Sequence, residues 1–386
     1  MVKILVVDDE VDMESLITQK FRKKLHSKEW EMIFRHNGEQ ALDVLQKDPT
    51  IDIVLSDINM PQMNGLTLTQ KIQEAGFDIR TVIVSAYGDI ENIRTAMNNG
   101  AFDFITKPIN FKDMEHTITR GFDNLSKMKD AMQSKNDLIH LKKELNLAHK
   151  IQQSILPNDF NLDKNCEIHA VMTPAKEIGG DFYDFFKIDN DHIALVVADV
   201  SGKGVAAALF ALITQTVLNG LSMSNNPSEV CKVIKEVNKK SCINNESLMF
   251  VTLFYGVLNT KTGKFTYTNA GHNPPFIIKN DFKVEELELT DGIPLGISID
   301  KDFLEKTIEL KPEETLFIYT DGVTESMNSD NQEFGESRLI KILSEPCKKD
   351  IKSLNTKVHQ SVKDFAGDTP QSDDLTYLAI KYLPKQ

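Results

Sequence analysis

The sequence predicts a doubly wound α/β domain of five parallel strands, then a long helix, then an α+β domain with antiparallel sheets. Three observations predict it. Residues 1–110 alternate short, near-continuous apolar runs with amphipathic stretches. From Phe111 to Ile155 there is no proline and a single glycine, Gly121. Beyond Pro157, strand-like runs cluster apart from helical ones. A length of 386 residues leaves room for two or three separate cores.

In the first domain KILVV, EMIF, IDIVLS, RTVIVS and FDFIT are the strands. Apolar on both faces and separated by helical patterns, they form a parallel sheet covered on both sides. In the long helix Leu138, Leu141, Leu145, Ala148 and Ile155 follow a spacing of threes and fours, with Gln152 filling the one polar position. Ile118, Phe122 and Leu125 begin a similar stripe, and Ser134 to Asp137 interrupts it, so this coiled-coil seam shifts phase midway. A parallel homodimer along the seam is preferred to packing against a neighbouring domain. The lysines of the other face (Lys127, Lys129, Lys135, Lys142, Lys143, Lys150) form a solvated surface. Pro157 stops the helix. Then EIHAVMT, HIALVVADV and TLFIYTDG are strands, and MFVTLFYGVLNTKTGKFTYTNAG is two strands joined at a Thr-Gly turn. Helical patterns follow at 203–221, 227–241, 336–345 and 350–366. The expected divisions are 1–120, 121–156 and 157–386.

A formal net charge of -13 argues against a nucleic-acid partner, because phosphate contacts need clustered Lys and Arg. The four cysteines (Cys166, Cys231, Cys242, Cys347) have no metal-ligand spacing and are expected as free thiols in a reducing cytoplasm. The chain enters the apolar run ILVV without a basic start, so no signal peptide is expected. The apolar stretch at 205–218 is too short to span a bilayer and contains Thr214, Gln215 and Thr216; a buried helix is expected, with no membrane partner.

Asp8 and Asp9 follow the first strand and Asp57 ends the third. In a doubly wound sheet, ligands bind beyond the carboxyl ends of strands, so the three acids converge there. Two such charges about 4 Å apart repel by roughly 4 kcal/mol at an effective dielectric near 20. Three need a divalent cation, and oxygen ligands suit Mg²⁺. Ser85 and Lys107 end the fourth and fifth strands and add a hydroxyl and an ammonium to the same edge. The set is suited to stabilising a transferred phosphoryl group. The order DD, SDINMPQMNG, VSAYGD and DFITKP resembles the receiver domain of two-component response regulators, a flavodoxin-like fold, over about the first 120 positions. The resemblance implies Asp57 as phosphoacceptor, Asp8 and Asp9 helping it hold Mg²⁺, Lys107 and Ser85 on the phosphoryl group, and Phe104 as the aromatic that reorients with Ser85. It also implies a sensor histidine kinase as partner.

In the last domain GGD, ADVSG, TDG and SDD each follow or begin an apolar run. Glycine beside the acid lets backbone approach a metal or phosphate closely. Clustered carboxylates with hardly any His or Cys suit Mg²⁺ or Mn²⁺. Two such ions activate a water and clamp a phosphate without a protein nucleophile. IQQSILP, GGDFYD, ADVSGKG, NAGHNPP, PLGI, TDGVTE and DDLTYLAI together resemble the PP2C-like serine/threonine phosphatases, in their bacterial stress- and sporulation-type branch. That implies a sandwich of two antiparallel sheets flanked by helices. It implies two Mn²⁺ or Mg²⁺ ions, with Asp199 bridging them, the Val200 carbonyl on one, Asp321 and Asp373 on the other, and Asp181 assisting. Asp374, beside Asp373, shares or takes that role. Eukaryotic relatives place an arginine ahead of the first acid; here the stretch is TPAKEIGGD, where Lys176 is the candidate substitute. Asn269 and His272 either contact substrate or stabilise a tight turn beside the site, and the turn weighs more.

The two resemblances imply a phosphorylation-regulated, metal-dependent protein phosphatase of a two-component pathway. Its implied substrate is a phosphorylated STAS-domain anti-sigma-factor antagonist. The competing reading is a non-catalytic adaptor that docks a sigma-pathway protein through a phosphatase-like surface. A DNA-binding regulator is excluded by the acidic balance and the lack of a helix-turn-helix module.

Overall fold

The computed structural model describes residues 1–243, 245–346 and 350–383. It divides into two compact units, one of residues 1–140 and one from Leu141 onward.

In the first unit strands and helices alternate: β1 (Val2–Val7), α1 (Val11–Lys20), α2 (Arg22–His26), β2 (Trp30–Arg35), α3 (Gly38–Lys47) and β3 (Ile53–Asp57). Then come α4 (Gly65–Glu74), β4 (Arg80–Ala86), α5 (Ile90–Asn98), β5 (Asp103–Lys107) and α6 (Phe111–Ile155). All five strands run parallel in the order β2-β1-β3-β4-β5. The apolar runs are continuous because each face has its own cover. Ile4, Val6, Ile53 and Leu55 pack with Ile17 of α1 and with Met114 and Ile118 of α6. Leu5, Val7 and Val54 pack with α3 and α4 on the other face. The expected five-stranded doubly wound sheet is therefore observed.

Helix α6 is unbroken through 134–137, where the seam shifts phase. Nothing there stops a helix: Ser134 to Asp137 includes neither proline nor glycine. Ile118 and Leu125 are buried, whereas Leu138 and Leu141 are exposed.

The second unit holds β6 (Cys166–Thr173), β7 (Phe182–Lys187), β8 (His192–Val200), α7 (Val205–Ser224), α8 (Val230–Cys242), β9 (Val251–Asn259) and β10 (Lys264–Ala270). It continues through β11 (Phe276–Ile278), β12 (Val284–Glu286), β13 (Lys306–Glu309), β14 (Thr315–Tyr319) and α9 (Asp321–Thr324). It ends with α10 (Glu336–Leu343), α11 (Ile351–Ala366) and β15 (Leu375–Tyr382). Two antiparallel sheets form, β13-β10-β9-β8-β7 and β12-β11-β14-β15-β6. Period-two alternation sorts their side chains. Leu316, Ile318, Leu378 and Ile380 face the core shared with the first sheet. Phe317, Tyr319, Tyr377 and Ala379 face α10 and α11. This is the expected sandwich flanked by helices.

The expectation of a buried helix at 205–218 needs correction. Helix α7 is long and apolar enough to cross a membrane by length and composition, yet only a third of its most apolar stretch is buried. Ala207, Ala211 and Leu218 pack inward, while Val205, Leu209 and Ile213, four residues apart, share an exposed face. Apolar composition does not distinguish a helix covered all round from one covered on one side. Cys166, Cys231 and Cys242 are free thiols, and Cys347 lies outside the described residues.

Candidate functional sites

The first site lies beyond the carboxyl ends of β1, β3, β4 and β5. Strand register brings its residues together: Val7 pairs with Ser56, Asp57 with Val84, and Ala86 with Lys107. Asp8, Asp9 and Asp57 each offer a carboxylate oxygen, all within 4.8 Å of one another. Lys107 Nζ lies 3.4 Å from Asp8 Oδ2 and 3.2 Å from Asp57 Oδ2. It also lies 3.2 Å from Glu10 Oε1, a contact the sequence did not suggest. Burial pushes the Asp57 carboxyl above its ordinary range; Lys107 opposes the shift and Asp8 adds to it. For Lys107, burial alone favours the neutral amine, but the charges of Asp57 and Asp8 reverse this and hold the proton. Two buried carboxylates and an exposed one, with oxygens this close, fit a hard divalent cation. Ser85 is fully buried, its Oγ 3.5 Å from both Asp89 Oδ2 and the Ala86 carbonyl oxygen. Phe104 pairs with Ile83 and is partly exposed. The Lys107–Pro108 peptide is cis.

The second site collects acids from both sheets. Asp181 precedes β7, Asp199 lies in β8, Asp321 follows β14 by two residues, and Asp373 and Asp374 lead into β15. The acids influence one another strongly. Burial raises Asp181 well above the carboxylate range, and the charges of Asp199 and Asp374 add to it. Asp199 is pushed up to about 7, first by burial and then by Asp321; a hydrogen bond with Asp181 opposes the rise, and Asp373 and Asp374 add to it. Asp321 is raised by burial and by Asp373. Among the described residues, no trio here closes as tightly as the one in the first site. Buried and half-buried carboxylates, three of them raised by burial and by neighbouring acids, with one lysine among them, fit divalent cations.

Individual side chains sort by what they touch. Thr320 Oγ1 donates to Asp181 Oδ2 at 2.8 Å. Asp374 is bound to backbone: Ala175 N–H donates to Oδ1 at 2.8 Å, and Gly180 and Asp181 N–H donate to Oδ2 at 2.6 and 3.3 Å. Asp373 instead turns Oδ2 toward Lys203 Nζ, 2.9 Å away. Lys203 also donates to the Ser372 carbonyl. Lys176, the cation singled out from the sequence, is exposed. The Val200 carbonyl faces Gly180, where an added Cβ would come within 3.0 Å of it. Asn269 and His272 are both buried. Asn269 Oδ1 accepts from the His272 N–H at 2.8 Å and its Nδ2 donates to the His272 carbonyl at 2.9 Å, an arrangement that closes a turn. His272 Nδ1 is 2.9 Å from Thr252 Oγ1, and Thr252 is the register partner of Asp199. Their burial goes against substrate contact.

Lys203 and Thr320 were the residues missed. Both lie inside the motifs SGKG and TDG, but neither is acidic, and only the acids of those motifs carry a metal-binding signal.

Residues 189–383 match the family described as Stage II sporulation protein E (SpoIIE), and residues 4–119 match the response regulator receiver domain. Protein IcfG of Synechocystis sp. is 30% identical over 264 residues, covering 61% of this chain and 41% of that protein. The chain therefore spans less than half the length of that relative. Phosphoserine phosphatase RsbU of Bacillus subtilis is 30% identical over 243 residues, covering 62% of this chain and 70% of that protein. In structure, the second unit resembles the SiaA-PP2C domain of Pseudomonas aeruginosa with a TM-score of 0.56 and 19% identity, covering 64% of this chain and 98% of that one. At that identity the likeness concerns the fold.

Proposed function

Because the chain belongs to the Stage II sporulation protein E (SpoIIE) family and carries a response regulator receiver domain, we propose that it is a phosphorylation-regulated, metal-dependent protein serine/threonine phosphatase. The observation that carries this reading is the gathering of Asp181, Asp199, Asp321 and Asp373 at strand ends drawn from two sheets, where burial raises the first three and Asp199 adds to the rise of Asp181, Asp321 to that of Asp199, and Asp373 to that of Asp321. Acids so arranged repel one another until cations neutralise them. Asp199 with the Val200 carbonyl, Asp321 and Asp373 hold Mn²⁺ or Mg²⁺, and Asp181 assists while Thr320 fixes its carboxyl. When bound, the ions supply an activated water and neutralise phosphate charge. Asp374 holds the backbone that carries Asp181. Lys203, in contact with Asp373, is better situated than Lys176 to meet a substrate phosphate.

In the same reading, residues 1–120 accept phosphate from a sensor histidine kinase on Asp57, with Mg²⁺ held by Asp8, Asp9 and Asp57. Lys107 and Ser85 contact the phosphoryl group, and Phe104 reorients with Ser85. Residues 121–156 link this domain to the phosphatase domain, 157–386, and pair two copies in parallel. The substrate is a phosphorylated STAS-domain anti-sigma-factor antagonist, and its dephosphorylation in the cytoplasm redirects a sigma factor. RsbU, named as a phosphoserine phosphatase, supports that class of substrate. The retained acids favour turnover over a non-catalytic adaptor.

The test is Mn²⁺-dependent phosphate release from p-nitrophenyl phosphate, with and without beryllofluoride to mimic phosphorylated Asp57. Turnover that beryllofluoride alters, and that Asp373→Asn lowers by about a hundredfold or more, is expected. Absence of turnover on both this ester and a phosphorylated STAS protein would favour the adaptor.

A further inference from the structure

Beside the acid cluster the second unit carries a recess of about 290 Å³, walled by α11 and by the loop 367–372 that leads into β15. Ser372 lines it, and the Ser372 carbonyl accepts from Lys203, which also pairs with Asp373. One residue thus borders both the recess and the charged site. The lip between them is firmly held. Gln371 Nε2 donates to the Thr173 carbonyl at 2.8 Å and to the Asp373 carbonyl at 2.7 Å, which ties the loop to β6 and to the backbone of the acid itself. At the other end of the loop, the Gly367 N–H donates to the Lys363 carbonyl and the Thr369 N–H to that of Ala366.

The deeper lining is apolar. Val362 and Leu375 are buried members of the core under α10 and α11, and Met327 and Ala366 line the recess above them without being fully buried. His359 adds an imidazole that burial lowers, with the charge of Lys363 adding to the effect, so the ring is neutral at physiological pH. Lys363 itself is exposed. A volume just under about 300 Å³ lies at the lower limit of small-molecule and cofactor sites and suits one large side chain. An extended chain advances about 3.3 Å per residue, so a polypeptide whose phosphate is held at Asp373 carries a residue one to three places away past Ser372. The position of the recess therefore selects a phosphoprotein as occupant. Its largely apolar, uncharged lining selects an aliphatic side chain, since a charged one would lose its water without gaining a buried partner.

We propose that this recess is a specificity subsite, taking an aliphatic side chain that lies within three residues of the phosphorylated serine or threonine of the substrate. This rests on the phosphatase reading above and adds to it the part of the substrate that is recognised besides the phosphate. The acid cluster acts on any phosphate ester that reaches it, and the recess discriminates among phosphoproteins. A side chain held there is bound equally before and during the reaction, so its contribution belongs to KM rather than to kcat.

The test uses the full chain with Mn²⁺ and reads phosphate release from short phosphoserine peptides. Leucine, alanine or aspartate is placed in turn at each of the three positions on either side of the phosphoserine. Leucine at one of these positions should raise kcat/KM about tenfold over alanine and over aspartate. Ala366→Leu fills the recess from α11 and Thr369→Phe fills it from the loop. Each should raise KM for the leucine peptide about tenfold, keep kcat within about twofold of the parent, and so remove the preference. Turnover of p-nitrophenyl phosphate, which carries no flanking residue, should be unchanged in both variants, and that also shows that they fold and keep their metal site. No positional preference in the parent, a preference for aspartate, or a leucine preference that survives both variants overturns the subsite alone. So does turnover of p-nitrophenyl phosphate without turnover of any peptide. A parent that turns over neither kind of ester overturns the phosphatase reading and the subsite with it.

Discussion

His272 is an imidazole enclosed in the second unit, and burial drives it down to about 4, with only a backbone contact at Tyr319 pulling the other way. In the unfolded chain the ring takes up its proton near the ordinary value of about 6.5. Folding therefore favours the neutral ring: its contribution is fully present above that value and is lost as pH falls toward 4. The whole window is worth about 3 kcal/mol. His169 and His359 are also lowered by burial and act in the same direction. The raised acids of the metal-free cluster act in the opposite one, so the informative quantity is a difference between variants. His272→Gln, measured by urea unfolding in EDTA from pH 7 to 5, should lose less stability than the parent over that range. Parallel pH profiles for the two would refute the argument. The sequence offered His272 either as a substrate contact or, with more weight, as part of a tight turn, and could not decide between them because burial is a property of the fold. The same limit kept Asp373 and Asp374 from being told apart. Adjacent and chemically identical, they differ only in what they meet, Lys203 in one case and three backbone N–H groups in the other.

At the scale of elements, legibility followed length and apolar continuity. The five parallel strands were readable because both faces of the sheet are covered, which leaves few polar interruptions. Strands β11, β12 and β13 have only three, three and four residues, too few for a period-two pattern to stand out. Helix α6 was readable as one long helix, because Phe111 to Ile155 has no proline and a single glycine; the interruption at 134–137 marked only a phase shift of its apolar stripe. That continuity gives it a definite mechanical prediction. Each inserted residue turns everything beyond it by about 100°, so two alanines after Ser134 rotate the Gln152 end by about 200° and seven return it close to register. If α6 transmits the state of Asp57, the two-residue insertion should remove the effect of beryllofluoride on phosphate release and the seven-residue insertion should largely restore it. Basal Mn²⁺-dependent turnover serves as the control. Regulation that survives both insertions would exclude a rigid helical route.

At the scale of the whole molecule, each unit has cores of its own. The receiver's apolar side chains cluster on the two faces of its parallel sheet. Those of the second unit cluster between its two sheets and under α10 and α11. Separate cores predict separate cooperative transitions. The two ligand sites then become labels for them, since a ligand stabilises only the unit that binds it. At a concentration of a hundred times its Kd, the gain is about 2.7 kcal/mol. For units of this size that moves a midpoint by about 5 °C or more. Calorimetric melting should resolve two transitions. Beryllofluoride with Mg²⁺ should raise one in the parent and not in Asp57→Asn; Mn²⁺ should raise the other in the parent and not in Asp199→Asn. The second shift should be large because the metal-free acids raise one another, and Asn at 199 relieves part of that repulsion beforehand. Asp199→Asn without Mn²⁺ should therefore melt no lower than the parent, although it has lost a ligand. A single transition, or loss of the Mn²⁺ shift in Asp57→Asn, would mean that the two units fold as one and that their sites are linked through stability rather than through α6.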